Sequence, residues 1–119
     1  MLLNNGVTLL NLTPHVINVA GLAIQPEPVA ARLAQKTEKV GMLGEIPITQ
    51  EVFGMPENLP NPEDNVFYIV SALMAGQLPL RNDLLVPGRA LRDETGRIIG
   101  AESLAFMSDV MPELDAIIV

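Results

Sequence analysis

The chain contains no cysteine and no tryptophan, and it has a single histidine. Without cysteine there is no disulfide framework, no thiol nucleophile and no thiolate metal site. That absence fits a reducing compartment. With one histidine, a two-histidine metal site is excluded, and any serine–histidine–acid triad has to use His15. Its one version would join His15 to Ser71 and Asp83. Ser71 lies in IVSAL, without the flanking glycines of a nucleophile elbow. Nor is there a GxGxxG fingerprint, a phosphate-binding loop or a calcium-loop spacing of acids, which argues against a dinucleotide or NTP enzyme. These gaps together favour a protein that is not an enzyme and needs neither cofactor nor metal. Positive charge is scarce as well: seven Lys and Arg face fourteen Asp and Glu, a net charge of −7. Nucleic-acid phosphates and anionic lipid heads repel such a body, so neither a nucleic acid polymer nor a membrane is an expected partner. No apolar run approaches the roughly 20 residues that span a bilayer. The opening MLLNNGVTLL lacks the basic start and long apolar core of a secretory signal. A cytoplasmic location is therefore expected. No internal repeat or low-complexity linker is present.

What the chain does have is aliphatic mass. Hydrophobic residues make up 49% of its 119 positions and aromatics 3%, with a mean hydropathy of +0.33. That length suits one domain, 1–119, with a core over 7–107 and a tail over 108–119. The surplus of apolar residues has two readings. It is buried between subunits of a homo-oligomer, or it fills a generous core.

The strongest strand signal is Val66–Val70, a β-branched and aromatic run suited to burial on both faces. Ser71 then stands where a helix N-cap belongs, before the helix formers Ala72–Ala75, and Gly76 and Pro79 stop the helix. Elsewhere the pattern is β. Val7–Leu12 and His15–Val19 read as a hairpin around Thr13–Pro14, and Leu22–Ile24 continues it beyond Ala20–Gly21. Residues 29–40 suit a helix by propensity and a strand by alternation. The surrounding chain favours a strand with an irregular end. Gly41–Glu45 reads as a turn and Ile46–Val52 as an edge strand. Gly54–Asp64, with three prolines and three acids, reads as a surface loop, a candidate lid or subunit contact. Asp83–Val86, Arg89–Arg92 and Arg97–Gly100 read as strands. Pro87–Gly88 and Asp93–Gly96 are the turns between them, and Ala101–Met107 extends the last strand. The expected fold is mainly β (α+β): a single mixed sheet or barrel-like domain with one short helix after the central strand. The apolar end Ile117–Val119 is expected to pack on the domain or on a neighbouring subunit.

Polar residues set among these apolar blocks are suited to hold a small anionic molecule. Amides at the start of the helix at Ser71 carry partial positive charge. Arg81, Arg89 and Arg92 offer guanidinium forks for phosphate. Thr13 and His15 flank the first turn. Asn11, Asn82 and Asp83 can read hydroxyls or a base edge, and Tyr68 can stack on a base. Each has a plainer role available: a cap for Ser71, a turn contact for His15, and hairpin ion pairs with Asp93 and Glu94 for Arg89, Arg92 and above all Arg97.

Four blocks give a further lead: NLTPH at 11–15, YIVSALMA at 68–75, RNDLLVPG at 81–88 and RDETGRIIG at 92–100. In this order they resemble a family of small phage, prophage and bacterial proteins to which no activity is assigned. The resemblance covers roughly residues 8 to 104. It leaves out the tail and KTEKVGMLGE, a stretch where other members are shorter. It implies that Asn11, Thr13, His15, Ser71, Arg81 and Asp83 form one group, and that a phage-encoded copy acts in the bacterial host cytoplasm. The expectation is a non-enzymatic, homo-oligomeric binder of a nucleotide-like ligand, such as an anti-defence protein that sequesters a signal nucleotide. One alternative is a structural or inhibitor module that acts through protein contacts. The other is a hydrolase or transferase that uses His15.

Overall fold

Val66–Ile69 is the central strand, as its composition requires. A computed structural model describes residues 1–112 and places this strand between two parallel neighbours. In chain order the strands are β1 (Thr8–Asn11), β2 (Ile17–Val19), β3 (Leu22–Ile24), β4 (Arg32–Leu43), β5 (Ile46–Glu57) and β6 (Val66–Ile69). Helix α1 (Ala72–Gln77) follows. Then come β7 (Leu84–Pro87), β8 (Ala90–Arg92), β9 (Ile98–Ala101) and β10 (Leu104–Ala105). The described residues are thus mostly β, with mixed sheets and one short helix.

Among the described residues there are two four-stranded sheets rather than one, and no closed barrel. The first runs β1-β6-β7-β10, with β1, β6 and β7 parallel and β10 antiparallel to β7. The second runs β3-β2-β9-β8. Alternate side chains of β6 serve two cores. Phe67 and Ile69 join Val7, Leu9, Val19 and Ile24 on one side. Tyr68 and Val70 join Leu12, Met74, Ala75, Leu84 and Val86 on the other, against the helix. The first sheet is therefore a middle layer, with the second sheet on one face and α1 on the other.

The helix begins as expected. Ser71 is its N-cap, extended at φ −66° and ψ 151°, and its Oγ accepts the Met74 N–H at 3.2 Å. It passes through Gly76 and ends at Gln77. Since it connects two parallel neighbours, β6-α1-β7 is a compact crossover unit.

Several local expectations are corrected. The hairpin around Thr13–Pro14 does not form. β1 pairs with β6, whereas β2 pairs with β3 and β9, so the turn carries the chain from one sheet to the other. Period-two patterning cannot distinguish these partners, because both layers want the same alternation. The β2–β3 hairpin does form, and its turn residues Ala20 and Gly21 take φ of +52° and +76°. Gly88 does not take positive φ. A Cβ there would lie 3.0 Å from the Ser103 carbonyl oxygen, so close approach of the backbone is what favours glycine. Gly100 is held likewise: its Cβ would stand 2.8 Å from the Asn18 carbonyl oxygen. The stretch after Ala101 does not extend β9, because β10 returns to the first sheet beside β7.

The largest correction concerns residues 32–57. Gly41–Leu43 is strand, not turn, and so is Gly54–Glu57. The turn is Gly44–Glu45, and the loop starts only at Asn58. Both strands are 12 residues long and pair only with each other, so this ribbon is a third, separate sheet. Strand β5 keeps Pro47 and Pro56 because every strand of a two-stranded ribbon is an edge. The tail expectation at Ile117–Val119 lies outside the described residues.

Candidate functional site

The polar residues singled out from the sequence do not converge. Register along the first sheet separates them. Tyr68 stands opposite Leu84, so Arg81 is level with Asn65 while Ser71 is level with Pro87. Six residues of strand place Ser71 and Arg81 at opposite ends, about 20 Å apart along the strand direction. Asp83 lies at the Arg81 end, so the triad geometry with Ser71 and His15 is not assembled either.

At the Arg81 end the groups hold each other. Arg81 donates through Nε and Nη2 to the two carboxylate oxygens of Asp83, both at 2.8 Å, and through Nη2 to the Pro60 carbonyl at 3.1 Å. Asp83 is buried. This fork ties the start of β7 to the loop before β6. Tyr68 is buried as well and has no free ring face to stack on a base; its hydroxyl donates to the Asn61 carbonyl at 3.4 Å. Burial, then Glu63 and Asp83, push its phenol above the ordinary value, with Arg81 opposing. Asn82 lines a shallow cavity of about 200 Å³ beside Glu63, Asp64 and Asp83. Those carboxylates make it a poor seat for an anion.

At the other end lie the carboxyl ends of β1, β6 and β7. The Leu12 N–H reaches the Ile69 carbonyl at 2.9 Å and brings Thr13 to the level of Ser71. Asn11 is fully buried and wholly engaged. Its Nδ2 donates to the carbonyls of His15 (2.7 Å) and Ile24 (2.9 Å), and its Oδ1 accepts from the Thr13 N–H (3.0 Å) and Oγ1 (2.7 Å). It clamps the crossing between sheets. His15 and Ser71 are exposed. Arg89 follows Gly88, just past the end of β7, and is exposed. Among the described residues its guanidinium has no partner, and neither has that of Arg97. Arg92 donates to the Gly96 carbonyl at 2.8 Å. The expected ion pairs with Asp93 and Glu94 are not made. Asp93 instead caps its own turn, accepting from the Thr95 Oγ1 (2.7 Å), the Thr95 N–H (2.9 Å) and the Arg97 N–H (3.0 Å). The Thr95 hydroxyl, followed by the Arg97 N–H, holds this carboxylate below its ordinary pKa.

The feature that sequence reading missed is the β4–β5 arm. Twelve residues of strand reach about 40 Å. The molecule measures 57 × 40 × 30 Å, and its radius of gyration is 16.9 Å; a compact chain of this length has about 13–14 Å. Among the described residues the base of the arm packs on the body, through Leu33, with Ala31 and Leu59 beside it. The stem beyond is polar along β4, from Gln35 to Lys39, whereas β5 adds the exposed Val52 and Met55. Gln35 and Thr37 on β4 donate to Glu51 on β5 at 2.8 and 2.9 Å, and hold its carboxylate below the ordinary value. The tip is apolar and open: Val40, Met42, Leu43, Ile46 and Ile48 all stand exposed, Leu43 at 67%. A signal was available in the alternation of Ile46 and Ile48 and in the even length of the two runs. The two glycines at 41 and 44 hid it, because either one suits a turn.

The fold defines the class: a mostly β body of two sheets and a short helix, carrying a long two-stranded arm. No protein-family model, no curated protein and no solved structure matches the chain. Among the described residues no helix is long and apolar enough to cross a membrane.

Proposed function

We propose that the chain is a structural or inhibitory interaction module that acts through protein–protein contacts, with the β4–β5 arm as its contact element. The observation that supports this reading is the apolar surface exposed on the arm, at the tip and at Val52 and Met55 of β5. A two-stranded ribbon alone in water is marginal, and it gains stability when its apolar face is covered. The charge of −7 fits a protein partner better than a polyanion. A photo-crosslinking residue at Met42 tests the reading in the expressing cell, with the same residue at Glu94 as control. A discrete protein adduct at position 42, absent at 94, is expected. If position 42 yields no discrete adduct, either to another copy or to another protein, the reading fails.

A second reading keeps the small anionic ligand, now at one end only. Thr13 and Ser71 share a level at the carboxyl ends of adjacent parallel strands, Arg89 comes two residues after the end of the next strand, β7, and such ends commonly host ligands. Under this reading Arg89 supplies the charge, whereas Arg81, Asp83 and Tyr68 serve the fold. Sequestration of a signal nucleotide, as in an anti-defence protein, would follow from such binding. Calorimetry against a panel of cyclic and ADP-ribose-type nucleotides checks it. Heat abolished by Arg89→Ala is expected, and no heat with any of them removes it.

A further inference from the structure

The outer edge of β4 is an unpaired strand edge 12 residues long, and it contains no proline. Its neighbour β5 carries Pro47 and Pro56, which lack the N–H that a further strand would need. A long open edge is a template for another strand. The sequence of β4 and its approach is symmetric in character about Thr37. Ala31 to Ala34 is mainly apolar, Gln35 to Lys39 is polar, and Val40 to Leu43 is apolar again. The irregularities in its pairing with β5 share this centre. They fall between Leu33 and Gln35, where β5 carries the extra residue (Gly54 and Met55 against Ala34), and between Lys39 and Gly41, where Val40 is the extra residue on β4; Ala34 and Val40 each lie three from Thr37.

We infer that two copies of this chain pair β4 against β4, antiparallel about a two-fold axis at Thr37, to form one four-stranded sheet from two arms. This rests on the arm being a contact element, and it names the occupant. Under this register Lys36 of each copy faces Glu38 of the other, and the contact occurs twice. Registers centred one residue either way would set lysine against lysine or glutamate against glutamate, which is destabilising. Within one copy these two side chains are 3.5 Å apart and largely exposed, so both are available to the neighbour. The same register sets Val40 opposite Ala34, Gly41 opposite Leu33 and Met42 opposite Arg32, so the tip of each arm lies along the start of the other's β4. Such an isologous contact closes on itself and gives a dimer, not a fibre.

The absence of cysteine provides the test, because one introduced thiol can bridge only between chains. Directly opposed residues of antiparallel strands have Cα atoms about 4.5–5.5 Å apart, within disulfide range. Thr37→Cys is expected to form a disulfide dimer under mild oxidation, and Thr49→Cys, on β5, is not. The unmodified chain should sediment as twice 12.8 kDa. Lys36→Glu should weaken the dimer about tenfold, and Lys36→Glu with Glu38→Lys should restore it. The inference is overturned by a chain that stays monomeric at high micromolar concentration, or by a dimer that Thr37→Cys does not trap and Lys36→Glu does not weaken. A monomer whose position 42 still crosslinks to a different protein would sink this inference and leave the contact module standing.

Discussion

The body and the arm are built from the same aliphatic alphabet and use it in opposite ways. In the body, alternate residues of β6 enter two cores, and polar groups such as Asn11 and Asp83 are buried with every bond made. In the arm, pairing is nearly continuous over 12 residues of each strand, yet among the described residues no further sheet or helix stacks on it. The contrast teaches that regular hydrogen bonding does not by itself bury apolar surface; a second layer has to do so. Stability should therefore reside in the body, and contact with other molecules in the arm.

The sharpest way to break this division is at Asn11. Asn11→Asp replaces a donor to two carbonyls by a carboxylate that repels them in a dry site. A loss of about 4 kcal/mol is expected in urea unfolding. Arg81→Ala comes next. It strands the buried Asp83 carboxylate and frees the loop at Pro60, for a loss of about 2–3 kcal/mol, and Arg81→Lys should recover only part of it. Tyr68 gives a pH signature. Its folded pKa is raised, so its contribution is fully present below the unfolded value near 10 and is lost as pH rises through the folded one. Tyr68→Phe should flatten that alkaline decline relative to the parent chain, as thermal melts between about pH 9 and 11 would show. The smallest expected effect sharpens the comparison from the other side. Leu43→Lys with Ile46→Lys should change the unfolding free energy of the body by less than about 0.5 kcal/mol while abolishing association. A large loss would mean that the arm is part of the core after all.

The local grammar of the body was legible from residue types. The β-branched run at 66–70 marked a strand buried on both faces. Ser71 marked the cap, and Gly96 the hairpin turn, with φ of +85°. These features depend on nearest neighbours along the chain. The grouping of Asn11, Thr13, His15, Ser71, Arg81 and Asp83 was not legible in that way. Polar residues embedded in apolar blocks mark both ligand sites and buried structural clamps, and the two differ only in what lies opposite. Asn11 and Asp83 proved to be clamps. The arm escaped notice for a related reason. Glycines at 41 and 44 and prolines at 47 and 56 suggest breaks, and a free-standing ribbon tolerates all four because neither strand has a second neighbour to satisfy.

By itself, the sequence determined that this chain is β-rich, acidic, free of thiol chemistry, and turned into its one short helix at Ser71. Only the tertiary structure decided which strands are neighbours, and so which end of the sheet each polar residue occupies. Alternation assigns a side chain to a face, but the choice of partner strand is made by non-local packing, and that choice sent β2 to the second sheet and left the arm without a covering layer.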